Sequence, residues 1–259
     1  MTEPHLLRED ASGVVTLTLN RPDQFNPLSE AMLSALEAEI ADIEIRSDVC
    51  CVVIAAEGRA FCAGHDLKEM RQSPELEYYQ ILFGRCSKFM QSLINLPVPV
   101  IAKVQGLATA AGCQLVATCD MAIADETAKF GVSGVNLGLF CSTPSVALSR
   151  VVSRKRAFEM LATGEFISAK TAEDWGLINR AVPAEMLDFE IARITDNLRG
   201  KSPVPLKMGK ALFHRQLGLD LASAYADAGE TMAQNMMTHD AVEGIDAFIE
   251  KRDPEWRGD

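Results

Sequence analysis

Apolar residues recur along this chain in three rhythms, and each rhythm predicts an element. From Val14 to Asn20, Val15, Leu17 and Leu19 fall on one side and Val14, Thr16 and Thr18 on the other, the alternation of a half-buried strand. Asn20 to Pro27 is rich in Asn, Asp and Pro and reads as a loop. Met32, Leu33, Leu36, Ile40 and Ile43 then return at helical spacing, with Ser29 or Glu30 placed to cap or charge the start. Cys50 to Ala56, Val98 to Val104 and Met121 to Ala124 are apolar without a period, as strands covered on both faces are. Pro74 to Leu96 predicts a helix between the first two runs, so strand, crossover helix and parallel strand make a right-handed unit. Met70, Met90 and the aromatic residues of this region read as core. Leu177 to Val182 predicts a last short strand. From Pro183 onward the pattern is helical, with one clear break at Leu198 to Pro203.

Two of the buried strands end alike. After the first comes Phe61-Cys62-Ala63-Gly64-His65-Asp66-Leu67-Lys68, small residues and then polar ones. After the second, Gln105 to Gly112 is mostly small and passes into a helix that runs to Cys119. Small residues let the backbone come close to a ligand, and the first turn of a helix offers N–H groups without partners. If the two strands are neighbours in one sheet, a carbonyl oxygen can sit between the turns and gain charge there.

Composition narrows the field. A net charge of −11 over 259 residues disfavours nucleic acid and anionic membrane as partners. The seven cysteines, odd in number and without a C-x-x-C pair, read as reduced thiols. His5, His65, His214 and His239 lack metal-ligand spacing, so no metal is expected. No apolar run reaches the roughly 18 residues of a membrane span. The first residues lack signal-peptide and transit-peptide character, and a cytoplasmic location is the resulting expectation.

The motifs F-C-A-G-H-D-L-K and P-V-P-V-I-A-K-V-Q-G-L-A-T-A-A-G-C-Q-L, with Cys119 to Ala124, Phe130-Gly131, Val135 to Gly138, Thr163 to Glu165, Ala172 to Leu177 and Gly244 to Arg252, resemble the crotonase superfamily of enoyl-CoA hydratases and isomerases. The resemblance spans nearly the whole chain. It implies an α/β crotonase-like spiral of ββα units. Residues 1–195 would form the core with the acyl-CoA site, and residues 196–259 a helical part of the same unit that builds homotrimers, commonly paired into hexamers. It also implies a thioester carbonyl polarised by the backbone N–H groups of His65 and Ala111. Coenzyme A, part of the substrate and not a resident cofactor, would lie against Phe25, Ala63, His65, Asp66, Leu67 and Lys68. Lys251 would reach a phosphate in a neighbouring copy.

The hydratases' two glutamates fall on Gln114 and Gly134, and neither residue can accept a proton. His65, Asn136, Cys141 and Ser142 remain near the site as candidate side chains. Cys141 can be read as a nucleophile or as a packed thiol. The G-H-D turn and V-N-L-G segment also resemble methylmalonyl-CoA decarboxylases, whose tyrosine position is Cys141 here. Three readings follow: an acyl-CoA enzyme of the hydratase/isomerase type, a decarboxylase, and a silent acyl-CoA-binding protein.

Overall fold

In the computed structural model, which describes residues 3–259, the chain coils so that each turn lays one strand in a large sheet and a shorter one in a small sheet. The large sheet is built from β1 (Leu6–Ala11), β2 (Val14–Leu19), β3 (Cys51–Ala56), β5 (Val100–Val104), β7 (Met121–Asp125) and β10 (Arg180–Val182), in the order β1-β2-β3-β5-β7-β10. The small sheet holds β4 (Ala60–Cys62), β6 (Leu107–Thr109), β8 (Lys129–Gly131) and β9 (Ile167–Ser168), in the order β4-β6-β8-β9. Between them run α1 (Glu30–Glu44), α2 (Leu67–Gln72), α3 (Leu76–Asn95), α4 (Ala111–Thr118), α5 (Ser142–Val151), α6 (Arg154–Thr163) and α7 (Ala169–Trp175). The tail is α8 (Ala184–Arg199), α9 (Pro203–Gln216), α10 (Leu221–Met236) and α11 (His239–Glu250). This is the expected ββα spiral.

β3 pairs in parallel with β5, so the two strands expected to carry the site are neighbours. β2 alternates as its pattern predicts, with Val15, Leu17 and Leu19 buried. Successive β3 residues point to opposite faces: Val52 and Ile54 enter the main core, while Val53 joins Ile101 and Ile123 under Leu187 and Ile191 of α8. Every apolar residue named for α1 is buried, and the Ser29 hydroxyl accepts from Met32 N at its start. Full burial of such a side chain contributes about 1.5–3 kcal/mol each.

Strand β1 lies outside the predicted elements because Arg8, Glu9 and Asp10 break its apolar pattern. What creates it is the turn at Ser12 and Gly13, both with positive φ (52° and 82°), which folds Ala11 back onto Val14 as a two-residue hairpin. The tail differs from expectation in having further breaks at residues 217–220 and 237–238, and residue 195 lies inside α8. Helices α9 and α10 bury no residue, and Tyr225, Met232, Phe248 and Ile249 stand exposed on α10 and α11.

Polar contacts dock α9. The Lys210 ammonium donates to the carbonyl oxygens of Leu93 (2.8 Å) and Val98 (2.9 Å) and pairs with Asp120 at 2.7 Å. Asp120 also accepts from Val100 N at 2.7 Å and meets His214 Nε2 at 2.8 Å. One carboxylate thereby joins α9 to the starts of β5 and β7. At the chain's end, among the described residues, His239, Asp240 and Asp259 converge. Asp240 is buried there and already accepts from the Ser202 hydroxyl and from Arg257 and Gly258 N–H, which pins the terminal segment to α9.

Candidate active site

The two small-residue turns meet. In the first, Ala63 N donates to the Phe25 carbonyl (3.0 Å) and Leu28 N donates to the Gly64 carbonyl (2.8 Å), so the Phe25 loop laces the turn in place. Asp66 then caps α2 by accepting from Lys68 N (2.8 Å) and Glu69 N (3.2 Å). In the second, Ala110 N donates to the Gly131 carbonyl at 3.0 Å. Ala110 itself adopts φ 50° and ψ −120°, a region L-residues avoid, and this strain turns β6 sharply into α4. Gly64 has φ 90°, and a Cβ on it would lie 2.9 Å from Ala110 Cβ and 3.2 Å from Ala111 N. A Cβ on Gly112 would run into the Cys62 carbonyl oxygen. Only glycines allow α4 to press so closely on the β4 turn.

Between these turns two N–H groups stay free. Neither His65 N nor Ala111 N donates to any acceptor among the described residues. Ala111 opens α4, so its N–H lies at the positive end of that helix dipole.

Both residues line a cavity of about 260 Å³. Its walls are otherwise largely apolar, with Leu67, Met70, Phe83, Leu139, Phe140 and Pro144 prominent beside the hydroxyls of Thr109, Ser133, Ser142 and Thr143, and no Lys, Arg, Asp or Glu reaches it among the described residues. The two titratable side chains in the wall are both neutral. Burial pulls the His65 imidazole below its ordinary value, against the opposing hydrogen bond to the Leu28 carbonyl at 3.3 Å. A carbonyl only accepts, so Nδ1 carries the ring proton; Nε2 is buried without a partner, and the ring packs edge-on to Phe83. Burial raises the Cys141 thiol, which is buried in the wall and has no side-chain hydrogen bond to a base among the described residues.

The remaining sequence candidates divide. Ala63 and Leu67 line the cavity, Lys68 is exposed just past it, and Phe25 lies under the Arg59 guanidinium at 4.4 Å. Gln114 is buried on α4 with Oε1 unpartnered and stands outside the cavity wall. Asn136 also lies outside it and donates to the Gly164 carbonyl, whereas Ser142 is in it. Lys251 ends α11 in a left-handed conformation, away from this wall. Met70 and Met90 are in the core as expected and Phe83 packs against it, but Met70 and Phe83 also line the cavity. An apolar residue on a helix face looks the same in sequence whether it meets a core or an empty pocket.

Gly134 is in the wall and crowded. A Cβ there would run into the Leu139 carbonyl and come within 2.7 Å of Cys141 Sγ. The segment has closed over the position where the resemblance puts a glutamate. Gly134→Ala is expected to cost about 1–3 kcal/mol through overpacking, read as a lowered thermal midpoint. An unchanged midpoint would mean that the Leu139 to Cys141 segment yields freely.

The chain is similar to known proteins over nearly its whole length. The family model described as enoyl-CoA hydratase/isomerase matches residues 9–259. The mitochondrial enoyl-CoA hydratase domain-containing protein 3 of Rattus norvegicus is 46% identical over 256 residues, covering 98% of this chain and 85% of the relative. The crystal structure of an enoyl-CoA hydratase from Mycobacterium smegmatis is 59% identical with a TM-score of 0.97, covering 98% of this chain and 99% of that one. That of human enoyl-CoA hydratase domain-containing protein 3 is 45% identical with a TM-score of 0.95, covering 97% and 100%. These relatives correct one expectation. Cytoplasmic location is overturned by the mitochondrial designation of the rat and human proteins, which a reading of the first few residues could not anticipate.

Proposed function

Because the chain belongs to the enoyl-CoA hydratase/isomerase family, we propose that it binds an acyl-CoA in the cavity and polarises the thioester carbonyl between the N–H groups of His65 and Ala111. The observation that carries this reading is the pair of unpartnered N–H groups on two touching turns, both at the cavity wall. Two donors fixed in advance around a carbonyl oxygen stabilise the enolate that forms when charge moves onto it. Removing one such donor typically costs about a hundredfold or more in rate.

Acid/base work is the part this site lacks. With Gln114 outside the cavity, Gly134 crowded and no carboxylate in the wall, water has no general base of the hydratase kind. Hydration of an enoyl-CoA is therefore expected to be slow, and enolate stabilisation is the chemistry left to the site. Coenzyme A enters with the substrate, its adenine end toward Phe25 and its diphosphate toward Lys68. Lys251 reaches it in a neighbouring copy of a homotrimer or homohexamer assembled through the exposed apolar faces of α10 and α11.

A panel of CoA thioesters, including crotonyl-CoA and methylmalonyl-CoA, incubated with the purified protein and read by mass spectrometry tests this. Conversion of any member by a route through an enolate supports the proposal, with loss of carbon dioxide from methylmalonyl-CoA identifying a decarboxylase. Fast addition of water to crotonyl-CoA would contradict the absence of a base. An unchanged panel would overturn the enzyme and leave a binding protein.

A further inference from the structure

Within the largely apolar wall of the cavity two hydroxyls face each other. Thr109 closes β6, directly before the strained Ala110, and Ser133 follows β8, directly before Gly134. The parallel register of β6 and β8, which sets Thr109 opposite Gly131, brings their hydroxyls to 3.2 Å of each other. Both residues line the cavity, and neither hydroxyl has another partner among the described residues.

A hydroxyl has one proton to give and two lone pairs. When two hydroxyls bond each other, one O–H is spent and the other is left without an acceptor. An apolar acyl chain filling the cavity would leave that O–H unmet, whereas an oxygen on the chain would accept from it. The oxygen must be uncharged: no Lys or Arg stands in the wall, and the His65 and Cys141 side chains are neutral, so nothing there offsets the desolvation of a carboxylate.

Resting on the acyl-CoA reading above, we propose that Thr109 and Ser133 form a specificity-determining subsite for a neutral oxygen, hydroxyl or carbonyl, borne by the acyl chain close to the thioester. Position follows from the chain itself, since Thr109 is only two residues before the free Ala111 N–H.

Titration calorimetry with butyryl-CoA, 3-hydroxybutyryl-CoA and 3-oxobutyryl-CoA, which differ only at C3, tests the proposal. The wild-type protein should bind the two oxygenated thioesters about tenfold more tightly than butyryl-CoA, the factor that one well-made hydrogen bond supplies. Because either hydroxyl alone still has an O–H to give, the ratio should fall to about one only in the double variant Thr109→Val with Ser133→Ala, checked for an intact thermal transition. Equal affinity of the three thioesters in the wild type, or a preference that survives in the double variant, would overturn the subsite while leaving the acyl-CoA reading standing. Failure of all three to bind would overturn that reading as well.

Discussion

Ala111→Pro should lower kcat/KM for any thioester the protein turns over by about a hundredfold or more, because it deletes one of the two N–H groups that face the developing oxyanion. Ala111 is the first residue of α4, where proline is compatible with a helix and no helical hydrogen bond is lost. The strained Ala110 before it is the place where the substitution could disturb the fold. For that reason the variant's thermal midpoint and its affinity for the acyl-CoA belong with the rate. A large fall in rate with both preserved assigns the N–H to the reaction; full activity would remove Ala111 from the site.

Lys210→Met is expected to destabilise the fold by about 3–5 kcal/mol, since it strands the largely buried Asp120 carboxylate and two carbonyl oxygens. In the double variant with Asp120→Asn part of this loss should return, because the uncompensated charge is gone. Urea titration measures both, and a loss below 1 kcal/mol in the single variant would show that His214 alone suffices for Asp120. The same network predicts a pH dependence. Burial pushes the Asp120 carboxyl up, but His214 and Lys210 outweigh it and hold the group below its ordinary value. The unfolded chain then binds the proton first on acidification. This part of the stability is present above the ordinary carboxylate range and is lost as pH falls through the depressed value. The acid-side slope should shrink in the double variant.

How much of this was legible beforehand depended on length of signal. Met32 to Ile43 supply five apolar residues over three turns of helix, and all five are buried as their spacing predicts. The strands β4, β6 and β8 have three residues each, too short for a period, so the small sheet was invisible as a sheet although its ends carry the site. The free N–H groups of His65 and Ala111 were readable only through the motifs around them. No residue type marks an unpartnered backbone donor. The crowding of Gly134 was beyond reach for another reason: the sequence shows a glutamate missing but not the Leu139 carbonyl that has taken its space. Thr109 and Ser133 are ordinary hydroxyls 24 residues apart, and only strand register makes them a pair.

The central claim is that the thioester carbonyl sits between two backbone donors, and it can be examined without knowing the reaction. An acyl-CoA labelled with ¹³C at the thioester carbonyl, bound to the wild-type protein, reports the polarisation of that bond in a difference infrared spectrum. The account predicts a carbonyl stretch at lower frequency than for the free thioester in water, with the shift much reduced in Ala111→Pro. A bound carbonyl that absorbs where the free one does, or a shift untouched by that substitution, would contradict it.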